Sequence, residues 1–146
     1  MNSIMTFIES NGDKSKTAIF LVDGKEFEEL TTKFSEIYKQ KDTVEFLQTI
    51  TKYLYELKKR SKKFDIEGIT VSETEFGKII GVNFEALPED LLLVSFAERY
   101  WANPKDKNEV YLSIEVKIYL KGDVKKTYQR VIVTKGNLIR DLLMSS

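Results

Sequence analysis

The residues of this chain that can do chemistry are carboxylates, lysines, arginines, tyrosines and hydroxyls, because the 146-residue sequence contains no histidine and no cysteine. Without imidazole, Ser-His-Asp catalysis and the usual zinc or iron sites are excluded. Without thiols, disulfides, thiolate metal sites and cysteine nucleophiles are excluded as well, which suits a reducing compartment. Any catalytic site must therefore be built from the remaining oxygen and amine groups.

Glu115 and Lys117 are the pair whose spacing points most directly to a reaction, because residues two apart on a strand project from the same face. The pair resembles the E-x-K half of the motif of PD-(D/E)xK nucleases, over about a dozen residues. That resemblance implies a carboxylate that holds Mg²⁺ and a lysine that orients water or steadies the phosphate, with Asp90 or Asp106 as the upstream aspartate. The pattern departs from the family where Lys121-Gly122-Asp123 leads into a strand instead of a helix. The alternative is an exposed strand face whose charges pair across to a neighbour.

A second candidate site combines aromatic and basic residues of the C-terminal half. Rings on which bases stack, beside cations, are typical of proteins that bind single-stranded nucleic acid. The predicted strand order also resembles the Whirly type of single-strand-binding domain, which would imply the same function. Tyrosine is equally a good strand residue at sheet rims and oligomer interfaces, and the zero net charge favours this alternative. The candidate binding residues are Arg99, Tyr100, Trp101, Tyr111, Lys117, Tyr119, Tyr128 and Arg130.

Two further features have structural explanations. The basic run 58–63 falls where the second predicted helix ends, and cations there complement the helix dipole. The segment 101–108 is predicted to be an exposed loop between long strands. Trp101 is then either an anchor of a protein interface or a cap on the core.

Composition limits the class of protein and of partner. The chain has 23 acidic and 23 basic residues, and this balance argues against binding to duplex DNA. The first ten residues lack the features of a signal peptide, and apolar runs such as 91–94 are far shorter than the ~20 residues of a membrane helix. We therefore expect a cytoplasmic protein with no membrane association and no cofactor.

Two amphipathic helices are the clearest elements. Asp23 with Glu26, and Asp42 with Glu45, have the spacing of a capping box. Apolar residues recur at helical spacing after each box, and the short break between them predicts an antiparallel helical hairpin. The two stripes are Phe27, Leu30, Phe34, Ile37 and Tyr38, and then Phe46, Leu47, Ile50, Tyr53, Leu54 and Leu57.

Strands are predicted on both sides of the helices. Residues 4–8 and 17–22 around Asn11-Gly12-Asp13 form a hairpin, or a frayed start followed by one strand. Residues 109–120 alternate, so that Tyr111, Ser113, Glu115, Lys117 and Tyr119 share one face. Further strands are predicted at 64–71, with Gly68 as a bulge, and at 78–84, 91–101 and 128–134, where the apolar start of 91–101 would also suit a buried helical turn. A helix follows from Asn137 and carries Leu138, Ile139, Leu142 and Leu143.

The predicted fold is a single α+β domain over residues 1–146. It has an N-terminal β-hairpin, an antiparallel helical hairpin, and a mostly antiparallel β-meander of four to five strands with a short C-terminal helix. The predicted common core is Phe27, Leu30, Phe34, Ile37, Leu47, Ile50, Leu54, Val110, Leu112, Ile114, Val116 and Ile118.

These observations favour a small non-enzymatic binding module that acts through protein–protein interaction, of the kind found among accessory or host-directed proteins of mobile elements. Its expected partner is another protein or a second copy of the chain. Single-stranded nucleic acid is the alternative partner. The second alternative is a Mg²⁺-dependent nuclease with a degenerate E-x-K half-motif.

Overall fold

The computed structural model describes residues 4–12 and 14–135, which form an α+β fold of two helices and one antiparallel sheet. Seven strands of this part of the chain build the sheet in the order β3-β4-β1-β2-β5-β6-β7. The elements are β1 Ile4–Asn11, β2 Ser15–Asp23, a 3-10 turn Gly24–Glu26, α1 Phe27–Tyr38, α2 Thr43–Arg60, β3 Ile69–Thr74, β4 Gly77–Asn83, β5 Leu91–Asn103, β6 Asp106–Leu120 and β7 Asp123–Lys135.

Both predicted helices are present, and each begins near its predicted cap. The Asp42 side chain accepts a hydrogen bond of 2.9 Å from the Glu45 amide at the start of α2. Asp23 instead caps the short 3-10 turn, where it accepts from the Lys25 amide, and α1 starts after that turn. The first helix is therefore entered through a tighter turn than the capping-box spacing predicts.

The two helices pack antiparallel against one face of the sheet. Arg60 at the end of α2 contacts Glu29 at the start of α1 at 3.0 Å, while the Tyr38 ring at the end of α1 meets Phe46 at the start of α2. Their apolar stripes join the helix-facing residues of β2, β5, β6 and β7 in one core. The predicted core is confirmed except for Val110, which lies outside the cluster, while Phe27 and Leu54 sit at its margin.

Five strands, β3 to β7, follow the helices, as predicted, but they do not form one continuous meander, and the whole sheet has seven strands. The N-terminal hairpin lies in the middle of the sheet, between β4 and β5. β1 pairs with β2 only at Ser10–Thr17 and Asn11–Lys16, and its long ladder is with β4. The sequence pattern shows which segments are strands, but not that a later hairpin returns to the first strand.

β1 and β2 diverge beyond Thr17, and a second core fills the wedge between them. The Thr17 hydroxyl donates to the Ile8 carbonyl, and the Glu9 carboxylate accepts from the Ile19 amide, so side chains replace the ladder where the strands separate. The small sheet β3-β4-β1 consequently folds over one end of the other strands. The buried residues of this second core are Ile19, Leu21, Ile80, Val82, Phe84, Leu87, Leu93 and Tyr119.

Two local predictions need correction, and a third concerns residues outside the described part of the chain. Residues 64–68 are irregular and the strand begins at Ile69, because Gly68 has φ 93° in the turn before the strand and is not a bulge within it. The predicted loop 101–108 is a two-residue turn, since β5 continues to Asn103 and β6 starts at Asp106. The helix predicted from Asn137 lies outside the described residues.

Neither helix of the described residues is long and apolar enough to cross a membrane.

Candidate functional site

The sheet formed by β2, β5, β6 and β7 has two faces with different surroundings. The helices cover one face. The small sheet covers only one end of the other face, where Leu93 and Tyr119 are buried. The rest of that second face, which we call the open face, runs from Ser95 and Lys117 to Trp101 and Tyr111 and continues onto β7.

A cross-strand row of large residues ends the open face. Trp101 lies opposite Tyr111, and Tyr111 lies opposite Val133 on β7. The Trp101 and Tyr111 rings are stacked, with centroids 5.5 Å apart and planes 25° apart. Trp101 is 46% exposed and Val133 is 50% exposed. Rings in contact with each other and with solvent form a flat, rigid apolar surface.

The next row adds a cation and a second aliphatic side chain. Arg99 lies opposite Ser113, which lies opposite Val131. Arg99 is exposed, and Val131 is 52% exposed. We call Arg99, Trp101, Tyr111, Val131 and Val133 the open patch.

Glu115 and Lys117 share the open face, as their spacing predicts, and they pair with each other. The Lys117 Nζ lies 3.7 Å from Glu115 Oε1, and both side chains are about one-third exposed. Asp106 is nine residues from Glu115 along β6, or about 30 Å at the rise of a strand. Asp90 precedes β5 by one residue, about 16 Å from Ser95, the partner of Lys117.

The arrangement around Glu115 and Lys117 thus holds one carboxylate and one amine. Neither Asp90 nor Asp106, the two candidates for the upstream aspartate that the nuclease resemblance implies, is brought to this pair. In residues 4–12 and 14–135, no group of three or more acidic side chains is placed to hold a metal ion. A strand, β7, follows the pair, where the nuclease motif has a helix.

Three of the eight predicted site residues lie on the opposite, helix-covered face. Tyr100 packs against the helical core. The Tyr128 hydroxyl donates to the Thr31 carbonyl and lies 3.3 Å from the Ser35 hydroxyl of α1. Arg130 also points to this face, because it lies in the row of Ile114. The structure therefore splits the predicted aromatic and basic set between two faces.

Arg130 holds the end of α1. Its guanidinium donates to the Tyr38 and Gln40 carbonyls and lies 4.1 Å from the centroid of the Phe46 ring. The last carbonyls of a helix lack intrahelical donors, and a cation there also complements the helix dipole.

Replacing Arg130 with methionine should therefore lower the free energy of unfolding by about 2 kcal/mol, because two carbonyls lose a charged donor while the packing on Phe46 is largely kept. Urea unfolding followed by circular dichroism measures this change. Arg99→Met is the matched control, since Arg99 is exposed on the open face, and its effect should stay below about 0.5 kcal/mol. Equal effects of the two substitutions would contradict the capping role.

Tyr119 lies on the same face of β6 as Tyr111, but the small sheet covers it. It is 6% exposed and contacts Phe7 and Phe84, with ring centroids 5.6 Å and 6.3 Å away. Tyr119 is therefore part of the second core and not of the open patch.

Glu98 is a buried carboxyl that the sequence analysis missed. It faces the helices from β5, and burial raises the pKa of its carboxyl, while Lys16, its cross-strand neighbour, acts in the opposite direction. A carboxyl with a raised pKa is a candidate acid or base. Glu98 lies between Phe96 and Tyr100, on the face that packs against the helical core, so this group does not join the open patch.

Val131 and Val133 were also missed as site residues. The signal was present, because alternation along 128–134 puts Tyr128, Arg130 and Ile132 on one face and leaves the two valines on the other. Tyr100 and Trp101 are adjacent, so the same rule separates them.

The arrangement as a whole is a flat aromatic and aliphatic surface with Arg99 at its side and the Glu115–Lys117 pair beyond it. No protein family matches the sequence, and no curated protein or solved structure matches it significantly.

Proposed function

We propose that this chain is a binding module whose partner is another protein, and that the open patch is its contact surface. The observation that carries the proposal is the exposed Trp101–Tyr111 stack with Val133 beside it, on a sheet whose other face is filled by helices. Contiguous exposed apolar groups bordered by polar residues mark interaction sites.

The residue types of the open patch are those that dominate protein interfaces. Tryptophan, tyrosine and arginine are enriched among the residues that carry most of the binding energy, and all three occur here together. Val131 and Val133 lie on the same strand and widen the apolar area. The Glu115–Lys117 pair occupies the two rows next to that of Arg99 and has the mixed charge of an interface rim.

Charge favours a protein over nucleic acid as the partner. Lys117 is paired with Glu115, and Arg99 is the one cation within the open patch. Nucleic-acid affinity comes largely from neutralised phosphates, so a surface with one unpaired cation releases few counterions. The rings of Trp101 and Tyr111 beside Arg99 would still allow bases to stack, which keeps single-stranded nucleic acid as the second candidate.

Replacing Trp101 with alanine should reduce partner binding at least tenfold, because a central aromatic anchor is worth about 2 kcal/mol or more. The melting temperature should change by no more than about 3 °C, since Trp101 is half-exposed. Contact with the partner is measured in the native host by placing a photoreactive residue at position 133 in place of Val133. The yield of crosslinked protein is then compared with and without the Trp101 substitution.

Tyr55→Ala is the matched control, because Tyr55 is an exposed aromatic residue on α2, and it should leave the crosslink unchanged. The proposal fails if no protein is crosslinked from position 133, or if Trp101→Ala leaves the yield unchanged at equal protein level. Crosslinks to nucleic acid, together with salt-sensitive binding of a labelled oligonucleotide, would replace it with the second candidate.

A further inference from the structure

The sheet ends in two edge strands, β3 and β7. An edge strand presents a row of backbone amides and carbonyls that can pair with another strand. Within the described residues, β3 pairs only with β4 and β7 pairs only with β6, so the outer side of each carries no strand.

The β3 edge is acidic. Asp65 and Glu67 precede the strand, Glu73 lies in it, and Glu75 lies in the turn after it, while residues 64–77 contain no lysine or arginine. All four side chains are exposed, and none of them forms an ion pair with another described residue. Lys78 lies opposite Glu73 on β4 but forms no ion pair with it, so this edge has carboxylates available for an outside partner.

The β7 edge is basic. Residues 121–135 contain five basic residues and one acidic residue. Arg130 is engaged with the end of α1, but Lys125 and Lys126 are exposed and unpaired within the described part of the chain. The two ends of one sheet thus carry opposite charge.

We infer that β3 of one copy of the chain pairs with β7 of a second copy, so that the sheet continues from molecule to molecule. Antiparallel pairing of Ile69–Thr74 with residues 125–130 puts Glu73 opposite Lys126 and Thr74 beside Lys125, the extra residue of a β-bulge in β7, with Glu75 adjacent. Pairing of like edges would place equal charges together, which is unfavourable. The charge pattern thus selects unlike edges, and the partner it fits is a second copy.

A contact between unlike surfaces leaves one free edge on each side, so assembly continues into a ring or a filament. The contact is six residues long and small, so we expect a dissociation constant between about 10 µM and about 1 mM. Salt should weaken it, because the paired charges are exposed.

Sedimentation of the full chain tests the charge pattern. At low salt the mean mass should rise past that of a dimer as concentration increases, and fall at high salt. Lys125→Glu with Lys126→Glu, and separately Glu73→Lys with Glu75→Lys, should each weaken association at least about tenfold, because each makes both edges of the chain alike in charge. A mixture of the two double variants should assemble again. A wild-type chain that stays monomeric throughout, or a mixture that stays monomeric, overturns the inference.

Introduced cysteines test which edges meet, and they are unique labels because the chain has no cysteine. Glu73→Cys mixed with Lys126→Cys should give a disulfide-linked pair on oxidation, while either variant alone should give none. Glu73→Cys mixed with Lys58→Cys, exposed at the end of α2, is the control and should remain unlinked. Linking of Lys126→Cys to itself would show pairing of two β7 edges and would refute the β3–β7 contact.

The edge contact does not depend on the open patch, and the two can fail separately. Trp101→Ala should leave the disulfide between positions 73 and 126 unchanged. Conversely, the paired lysine substitutions on β7 should leave the crosslink from position 133 to a different protein in place.

Discussion

Replacing Phe34 with alanine should lower the free energy of unfolding by about 3–5 kcal/mol. Phe34 is fully buried where α1, α2 and the sheet meet. Its ring contacts Tyr53 on α2 at 5.1 Å and Tyr128 on β7 at 5.7 Å between centroids. Truncation removes the apolar contacts of all three elements at once and leaves a cavity that rigid neighbours cannot fill.

Chemical denaturation followed by circular dichroism measures this loss. Phe76→Ala is the matched control, because Phe76 lies at the tip of the β3–β4 hairpin and is 81% exposed. The same change of side chain there should alter stability by less than about 0.5 kcal/mol. A loss below about 1 kcal/mol at Phe34 would mean that the helices do not share a core with the sheet.

The helices and the long strand β6 could be predicted from the sequence, because their patterns are local. Asp42 lies three residues before Glu45, and the apolar stripes of α1 and α2 repeat at helical spacing. β6 alternates along its length, so Val116 and Lys117 fall on opposite faces in the sequence and in the structure. Each of these features is decided by a few neighbouring residues.

The sheet order could not be predicted, because it depends on contacts that are distant in sequence. The Asn11-Gly12 turn predicts that β1 pairs with β2, yet Phe7 lies opposite Ile80 of β4. Ile19 and Leu21 alternate with Phe20 and Val22, all of them apolar, which indicates burial on both faces without showing what covers the second. In the structure, the small sheet β3-β4-β1 covers this second face at Ile19 and Leu21.

The candidate site was predicted in part for the same reason. Trp101 and Tyr111 follow from strand alternation, and the structure places them in contact. Tyr128 and Arg130 were included by residue type, although their helix-facing positions follow from the same alternation. Tyr119 satisfies both criteria and is nevertheless buried, because the small sheet that covers it is assembled from β1, β3 and β4.

Replacing Tyr119 with alanine should therefore act on stability, with a loss of about 3–4 kcal/mol, whereas Trp101→Ala acts on binding. Tyr119 joins β6 to the small sheet through Phe7 on β1 and through Phe84 after β4. Without its ring the wedge between the two parts of the sheet loses its central contact. The small sheet should then open before the helical core does, and hydrogen exchange should accelerate in β1, β3 and β4.

Tyr119→Phe is the control for this prediction. It keeps the ring, and the structure shows no hydrogen bond from the Tyr119 hydroxyl to another described residue, so its effect should stay below about 1 kcal/mol. If Tyr119→Ala left stability unchanged and instead abolished the crosslink from position 133, Tyr119 would belong to the contact surface. The cover over this end of the sheet would then have to open for the partner to bind.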